Sequence, residues 1–138
     1  MASLVGSLKA IADEKTLTLF NAIATEGGNT DTLRKKSAFS RKQYYMRISM
    51  LTKAGLIRRI NGIYSLTSLG KIVYSAQKLI GEGVNNYWKL KAIDSIESSE
   101  HKHNNNVFSR EERRKIMDSI IDKESEIKNI LLNHIKSS

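Results

Sequence analysis

The sequence predicts a mainly helical fold carrying one small β-hairpin, and three observations point there. There is no Pro among the 138 residues, so nothing forces a break in a long helix. Apolar residues recur at spacings of three and four along most of the chain, the period of an amphipathic helix. One stretch departs from that period: Leu56–Ile60 and Ile63–Leu66 are rich in β-branched and apolar residues. They flank Asn61-Gly62, the dipeptide that best suits a two-residue type I′ hairpin turn.

Taken in order, Ser3–Ala12 reads as a short helix with Leu4, Leu8 and Ile11 as its apolar side. Asp13 or Glu14 opens a second helix, from Lys15 to about Thr25, and places negative charge near the positive end of its dipole. Leu17, Phe20, Ile23 and Ala24 form its core-facing stripe, and Gly27-Gly28 stops it. Thr30 is placed to N-cap a third helix, Asp31–Lys36, anchored by Leu33. Ser37-Ala38-Phe39 makes a turn, with Phe39 buried between helices, and Ser40 N-caps the helix that ends at Ala54. Tyr44, Ile48 and Leu51 share its inner face, and Gly55 is the C-cap that tolerates a left-handed backbone. After the hairpin, Thr67 caps a helix bearing Leu69, Ile72, Val73, Ala76, Leu79 and Ile80, interrupted at Gly81-Glu82-Gly83.

A helix over about Val84–Ser98 follows, with Val84, Tyr87, Trp88, Leu90, Ile93 and Ile96 as apolar positions and Trp88 as a packing residue. Ser99–Val107 is polar and reads as a loop. Ser109 with Glu112 three residues on makes a capping box for the last helix. There Ile116, Ile120, Ile127, Leu131 and Ile135 continue to the C-terminus. Read as one helix of some 27 residues, it spans about 40 Å at ~1.5 Å per residue. That is longer than a domain of this size needs to cover its own core. The expectation is a dimerisation element pairing with a second subunit; the alternative is a helix folded back on its own chain.

The run Ser40–Gly70 (SRKQYYMRISMLTKAGLIRRINGIYSLTSLG) resembles the recognition helix and wing of a winged helix-turn-helix transcriptional regulator of the ArsR/MarR-like kind found in archaea and bacteria. Ser40, Tyr44, Ile48, Leu51, Ala54-Gly55-Leu56-Ile57, Tyr64-Ser65-Leu66-Thr67 and Gly70 carry the likeness, which extends over roughly Leu8–Ile80. The resemblance implies a winged helix-turn-helix DNA-binding domain over 1–81, followed by a C-terminal helical extension over 82–138 that ends in the long terminal helix. It also implies a transcriptional regulator bound to double-stranded DNA. The turn lacks the Gly common in helix-turn-helix motifs. The short Asn61-Gly62 turn leaves no long wing to enter the minor groove.

Charge agrees with that reading. The net charge is +9, and it is unevenly placed. Between Thr32 and Gly62 lie Arg34, Lys35, Lys36, Arg41, Lys42, Arg47, Lys53, Arg58 and Arg59 with no acidic residue, whereas bases and acids nearly balance from Lys71 onward. A basic patch confined to a helix and hairpin is an electrostatic footprint of nucleic-acid binding. With Tyr44, Ile48 and Leu51 inward, Arg41, Lys42, Tyr45, Met46 and Ser49 face out, and Gln43 and Arg47 lie on the flanks. Arg can pair bidentately with guanine, Gln with adenine, and apolar atoms can touch the thymine methyl. Arg34, Lys35 and Lys36 are placed for phosphates, and Ser40 at the cap is counted with the DNA-binding residues. Strand alternation sends Arg58 and Arg59 to opposite faces of the hairpin, so only one of them meets the DNA backbone strongly. Two such modules on a two-fold axis set recognition helices ~34 Å apart and call for an inverted repeat.

Other chemistries have little behind them. There is no Cys, so disulfides and thiolate metal sites are excluded, and the ligand pattern of metal-sensing ArsR-like proteins is missing. His101 and His103 sit two apart in a polar stretch, with His134 far away. No glycine-rich phosphate loop or nucleophile–base arrangement stands out, so neither a catalytic residue, a metal nor a cofactor is expected. No signal peptide or apolar run of membrane-span length is seen, and a cytoplasmic location is expected. An effector is not specified by the sequence. The competing class is a winged helix acting as a protein-interaction or architectural DNA-binding module in a larger transcription or chromosome assembly.

Overall fold

A computed structural model describes residues 2–102, 110–121 and 126–135, and the side chains of 99–102, 110, 113 and 135 lie outside that description. Among the described residues the protein is mainly helical, with a single two-stranded antiparallel hairpin. It divides into two compact units, Met1–Gln77 and Lys78–Ser138. No helix among the described residues is long and apolar enough to cross a membrane.

The first unit begins with α1 (Leu4–Ile11), whose Ser3 cap accepts from the Gly6 amide. Its buried side is Ser7, Ala10 and Ile11, not the expected Leu4, Leu8 and Ile11. Leu4 and Leu8 point outward, 76% and 47% exposed. The small Ser7 and Ala10 let the helix backbone lie close to its neighbours, which bulky leucines would prevent. Helix α2 (Glu14–Thr25) is capped by Asp13 and buries Thr16, Leu19, Phe20 and Ile23. Leu17 and Ala24 pack at the margin of that stripe, and Leu19, unmarked by the sequence pattern, is fully buried.

Helix α3 (Thr30–Ser37) is capped by Asn29 rather than Thr30: the Asn29 carboxamide oxygen accepts from the amide and hydroxyl of Thr32, both at 2.9 Å. Shifting the cap by one residue lets Thr30 enter the first turn. Ala38 takes a left-handed conformation, φ 53°, to end α3. Phe39 is half-buried against the core, and α4 (Arg41–Lys53) follows at once. Gly55, φ +78°, closes α4 in the conformation a Cβ would disfavour.

The hairpin joins β1 (Ile57–Ile60) to β2 (Ile63–Leu66), pairing Ile57 with Leu66 and Ile60 with Ile63. Asn61 and Gly62 both have positive φ, 52° and 79°, the backbone that a type I′ turn requires. Thr67 then ties three elements together. Its hydroxyl donates to the Gly55 carbonyl at 2.6 Å and accepts from the Gly70 amide at 2.9 Å. A Cβ on Gly70 would stand 2.0 Å from the Leu56 carbonyl oxygen. The start of α5 (Ser68–Asn85) can therefore approach the strand only through glycine. Leu19, Phe20, Leu33, Tyr44, Leu51 and Leu56 form the fully enclosed centre of this unit.

Helix α5 runs unbroken through Gly81-Glu82-Gly83, where an interruption was expected. Gly in a helix costs only ~1 kcal/mol relative to Ala, and without Pro nothing compels a stop. In the second unit α6 (Tyr87–Lys102) covers residues 99–102, which therefore are helix rather than loop; 103–107 lie outside the described residues. The single terminal helix is replaced by α7 (Arg110–Ile120) and α8 (Glu126–Ile135). A straight helix would separate Asp118 from Lys128 by ~15 Å, yet the two form an ion pair. The chain therefore folds back, enclosing Ile93, Met117, Ile121, Ile127 and Leu132 in a second core. The proposed Ser109 cap lies outside the described residues. Trp88 was expected to pack and instead is 78% exposed.

Candidate nucleic-acid interface

The candidate surface is built on α4. Its first turn is fixed by a reciprocal cap: the Ser40 hydroxyl accepts from the Gln43 amide at 3.2 Å, and the Gln43 side-chain oxygen accepts from the Ser40 amide at 3.4 Å. Two free amides of the helix start are thereby satisfied. Tyr44, Ile48 and Leu51 then anchor the inner face, at 0%, 5% and 0% exposure. Burial pushes the Tyr44 phenol above its ordinary value, so it stays neutral as part of the core.

With that face held inward, Arg41, Lys42, Gln43, Tyr45, Met46 and Ser49 are all exposed. At 100° per residue, Lys42, Met46, Ser49 and Lys53 stand farthest from the core, with Tyr45 on one flank. Lys53 belongs to the same exposed row, and its place four residues after Ser49 already marked it in the sequence. Met50 is on the other flank, lining a shallow groove of about 330 Å³ with Ala2, Gly6 and Ala10 of the N-terminal segment.

Arg47 does not belong to this surface. It is only 9% exposed, with its guanidinium 3.4 Å from the Asp13 carboxylate and 5.2 Å from the centre of the Phe39 ring. Three residues after Tyr44 and one before Ile48, it sits at the edge of the inner face. The carboxylate at the start of α2 draws it inward. Asp13 accepts from both the hydroxyl and the amide of Thr16, at 2.8 and 3.0 Å. These bonds, with a lesser contribution from Arg47, hold its carboxyl below the ordinary 3.8. Arg47 therefore joins α4 to the Asp13 cap of α2 and turn residue Phe39, and it is not on the exposed flank where a DNA contact is expected of it.

The remaining basic groups lie on α3 and the hairpin. Lys35 and Lys36 are exposed at the end of α3, Arg34 is half-buried, and Lys36 pairs with Glu26. An exposed pair of that kind is worth at most about 1 kcal/mol, so a phosphate can replace the carboxylate. On the hairpin Arg58 lies opposite Ser65, while Arg59 lies opposite Tyr64 with its guanidinium 5.7 Å from the ring centre. The two arginines thus occupy opposite faces, as strand alternation requires. Ser40, Arg58 and Arg59 are exposed with the α4 row in the same unit.

The arrangement offers positive charge and apolar atoms on one exposed helix face. Among the described residues no three His, Cys, Asp or Glu side chains gather where a metal ion could be held. His103 lies outside those residues, as does the side chain of His101. Compared with protein-family models, curated proteins and solved structures, the chain matches none.

Proposed function

We propose that the chain is a winged-helix regulator that binds double-stranded DNA, with α4 in the major groove, the hairpin as its wing on the phosphate backbone, and no catalytic activity. The observation that carries this reading is the outer face of α4. Its inner face is locked by Tyr44, Ile48 and Leu51, while Arg41, Lys42, Met46, Ser49 and Lys53 stand exposed. Lys35, Lys36 and Arg58 are exposed in the same unit and belong to the same acid-free segment. Positive groups beside a helix that is free to enter a groove are what a duplex needs. Selection of duplexes from a random pool, followed by sequencing, tests it. An enriched site that Arg41→Ala weakens more than it weakens random DNA supports a reading helix. Equal loss on both duplexes removes it and leaves an architectural binder; no retained duplex at all favours a protein partner.

The second part of the proposal is a homodimer. The terminal segment forms two helices rather than one of about 40 Å, but the second unit exposes apolar side chains of its own. Ile80, Val84, Tyr87 and Trp88 recur at helical spacing across the end of α5 and the start of α6, at 61%, 67%, 51% and 78% exposure. Two copies meeting there would bury about 1,000–1,200 Å² in all, the lower bound for a specific interface. Enrichment of an inverted repeat, together with a dimeric mass that Trp88→Ser reduces to the monomer, is the expected result. A dimer untouched by that change places the contact elsewhere.

A further inference from the structure

Two of the side chains best suited to read purines on α4 are engaged inside the chain. Arg47, the bidentate partner for guanine, is buried against Asp13 and Phe39. Gln43, the bidentate partner for adenine, has its carboxamide oxygen committed to the Ser40 amide. The first turn still offers Arg41 and Lys42. In the second turn the exposed groups are Tyr45, Met46 and Ser49. Tyr45 is held edge-on against Tyr44, ring centres 5.3 Å apart, and stays 48% exposed. Met46 is 50% exposed on the outermost row, between Lys42 and Ser49 and Lys53.

An apolar side chain at the centre of a basic surface gains nothing from phosphates. It gains only where a polyanion presents an apolar group, and the major groove of DNA presents one such group, the C5 methyl of thymine. We infer that Met46, flanked by Tyr45, reads thymine methyl groups, so that the sites this chain prefers are A·T-rich beneath the second turn of α4. The inference rests on α4 being the reading helix and names what that helix reads. Polarizable and unbranched, the Met side chain can follow a methyl at either strand of an A·T pair without a fixed hydrogen-bond geometry. Lys42 and Lys53 on the same row favour a nucleic acid over an acidic protein as the occupant, because the phosphates lie on both sides of the groove that holds the methyls.

The test compares the duplex enriched from a random pool with the same duplex carrying uracil in place of every thymine. Uracil removes the methyl and keeps every hydrogen-bonding group. By fluorescence anisotropy the wild-type chain should bind the uracil duplex about three- to fivefold more weakly for each methyl contacted. Met46→Ala should bind the two duplexes equally, at the level of the wild type on uracil; circular dichroism checks that this exposed substitution leaves the fold intact. Equal binding of both duplexes by the wild type overturns the methyl inference and leaves DNA binding standing, as does a thymine preference that survives Met46→Ala. Failure to enrich any duplex overturns both the inference and the reading beneath it.

Discussion

The two units of this chain solve the same problem to different degrees. In the first, α1 to the start of α5 enclose a continuous core whose centre, Leu19, Phe20, Leu33, Tyr44, Leu51 and Leu56, is fully shielded from water. In the second, the described core is the smaller cluster of Ile93, Met117, Ile121, Ile127 and Leu132, while Ile80, Val84, Tyr87 and Trp88 face solvent. A small core stabilises less, and the exposed apolar side chains grouped there are what the proposed dimer would cover. The first unit is built to hold a helix still. The second rests on a smaller described core.

The largest expected effect tests the first half of that comparison. Leu51→Ala should cost about 2–5 kcal/mol in urea denaturation, because the fully buried site cannot collapse around the cavity. A loss under about 1 kcal/mol would mean that the α4 inner face is not rigidly held. Gly70→Ala comes next, at about 1–3 kcal/mol, since its methyl meets the Leu56 carbonyl oxygen at 2.0 Å unless α5 shifts. Thermal melting reads both, and a melting point unchanged by Gly70→Ala would contradict the close approach of α5 to the strand.

Arg47→Ala should destabilise by about 1 kcal/mol, through lost packing on Phe39 and the lost partner of Asp13. The half-exposed Asp13 carboxylate limits the cost of leaving it alone. Smallest is Trp88→Ser, with a stability change within about 0.5 kcal/mol because the ring is exposed. Its effect belongs to the mass measured by light scattering. If Trp88→Ser instead unfolds the second unit, the ring is part of a core and the contrast between the units fails.

What the sequence disclosed follows a similar division. Ser40, Gly55, Asn61-Gly62 and the capping bond of Thr67 to the Gly70 amide act within a few residues, and each was legible: cap, left-handed stop, hairpin turn, cap. Tyr44, Ile48 and Leu51 were legible because a helical period fixes a face. Arg47 was not, because its partners Asp13 and Phe39 come from other elements, and nothing local separates a flank that faces water from one that faces a carboxylate. The outward turn of Leu4 and Leu8 has a similar origin, since the neighbours of α1 accept the small Ser7 and Ala10. Periodicity also failed at the fold-back between α7 and α8. The apolar spacing continues on both sides of it, so one long helix and a closed pair carry nearly the same pattern.

Helix α4 divides into a buried face that includes Arg47 and an outer basic face, the one proposed to meet DNA. The most direct measurement is the affinity for a random duplex, by anisotropy, across a series of salt concentrations. It would compare wild type, Lys35→Ala and Arg47→Ala. Binding should fall steeply with salt, Lys35→Ala should lower the slope by about 0.9, and Arg47→Ala should leave the slope where it was. A wild-type affinity independent of salt, or an Arg47→Ala slope reduced as much as that of Lys35→Ala, would contradict it.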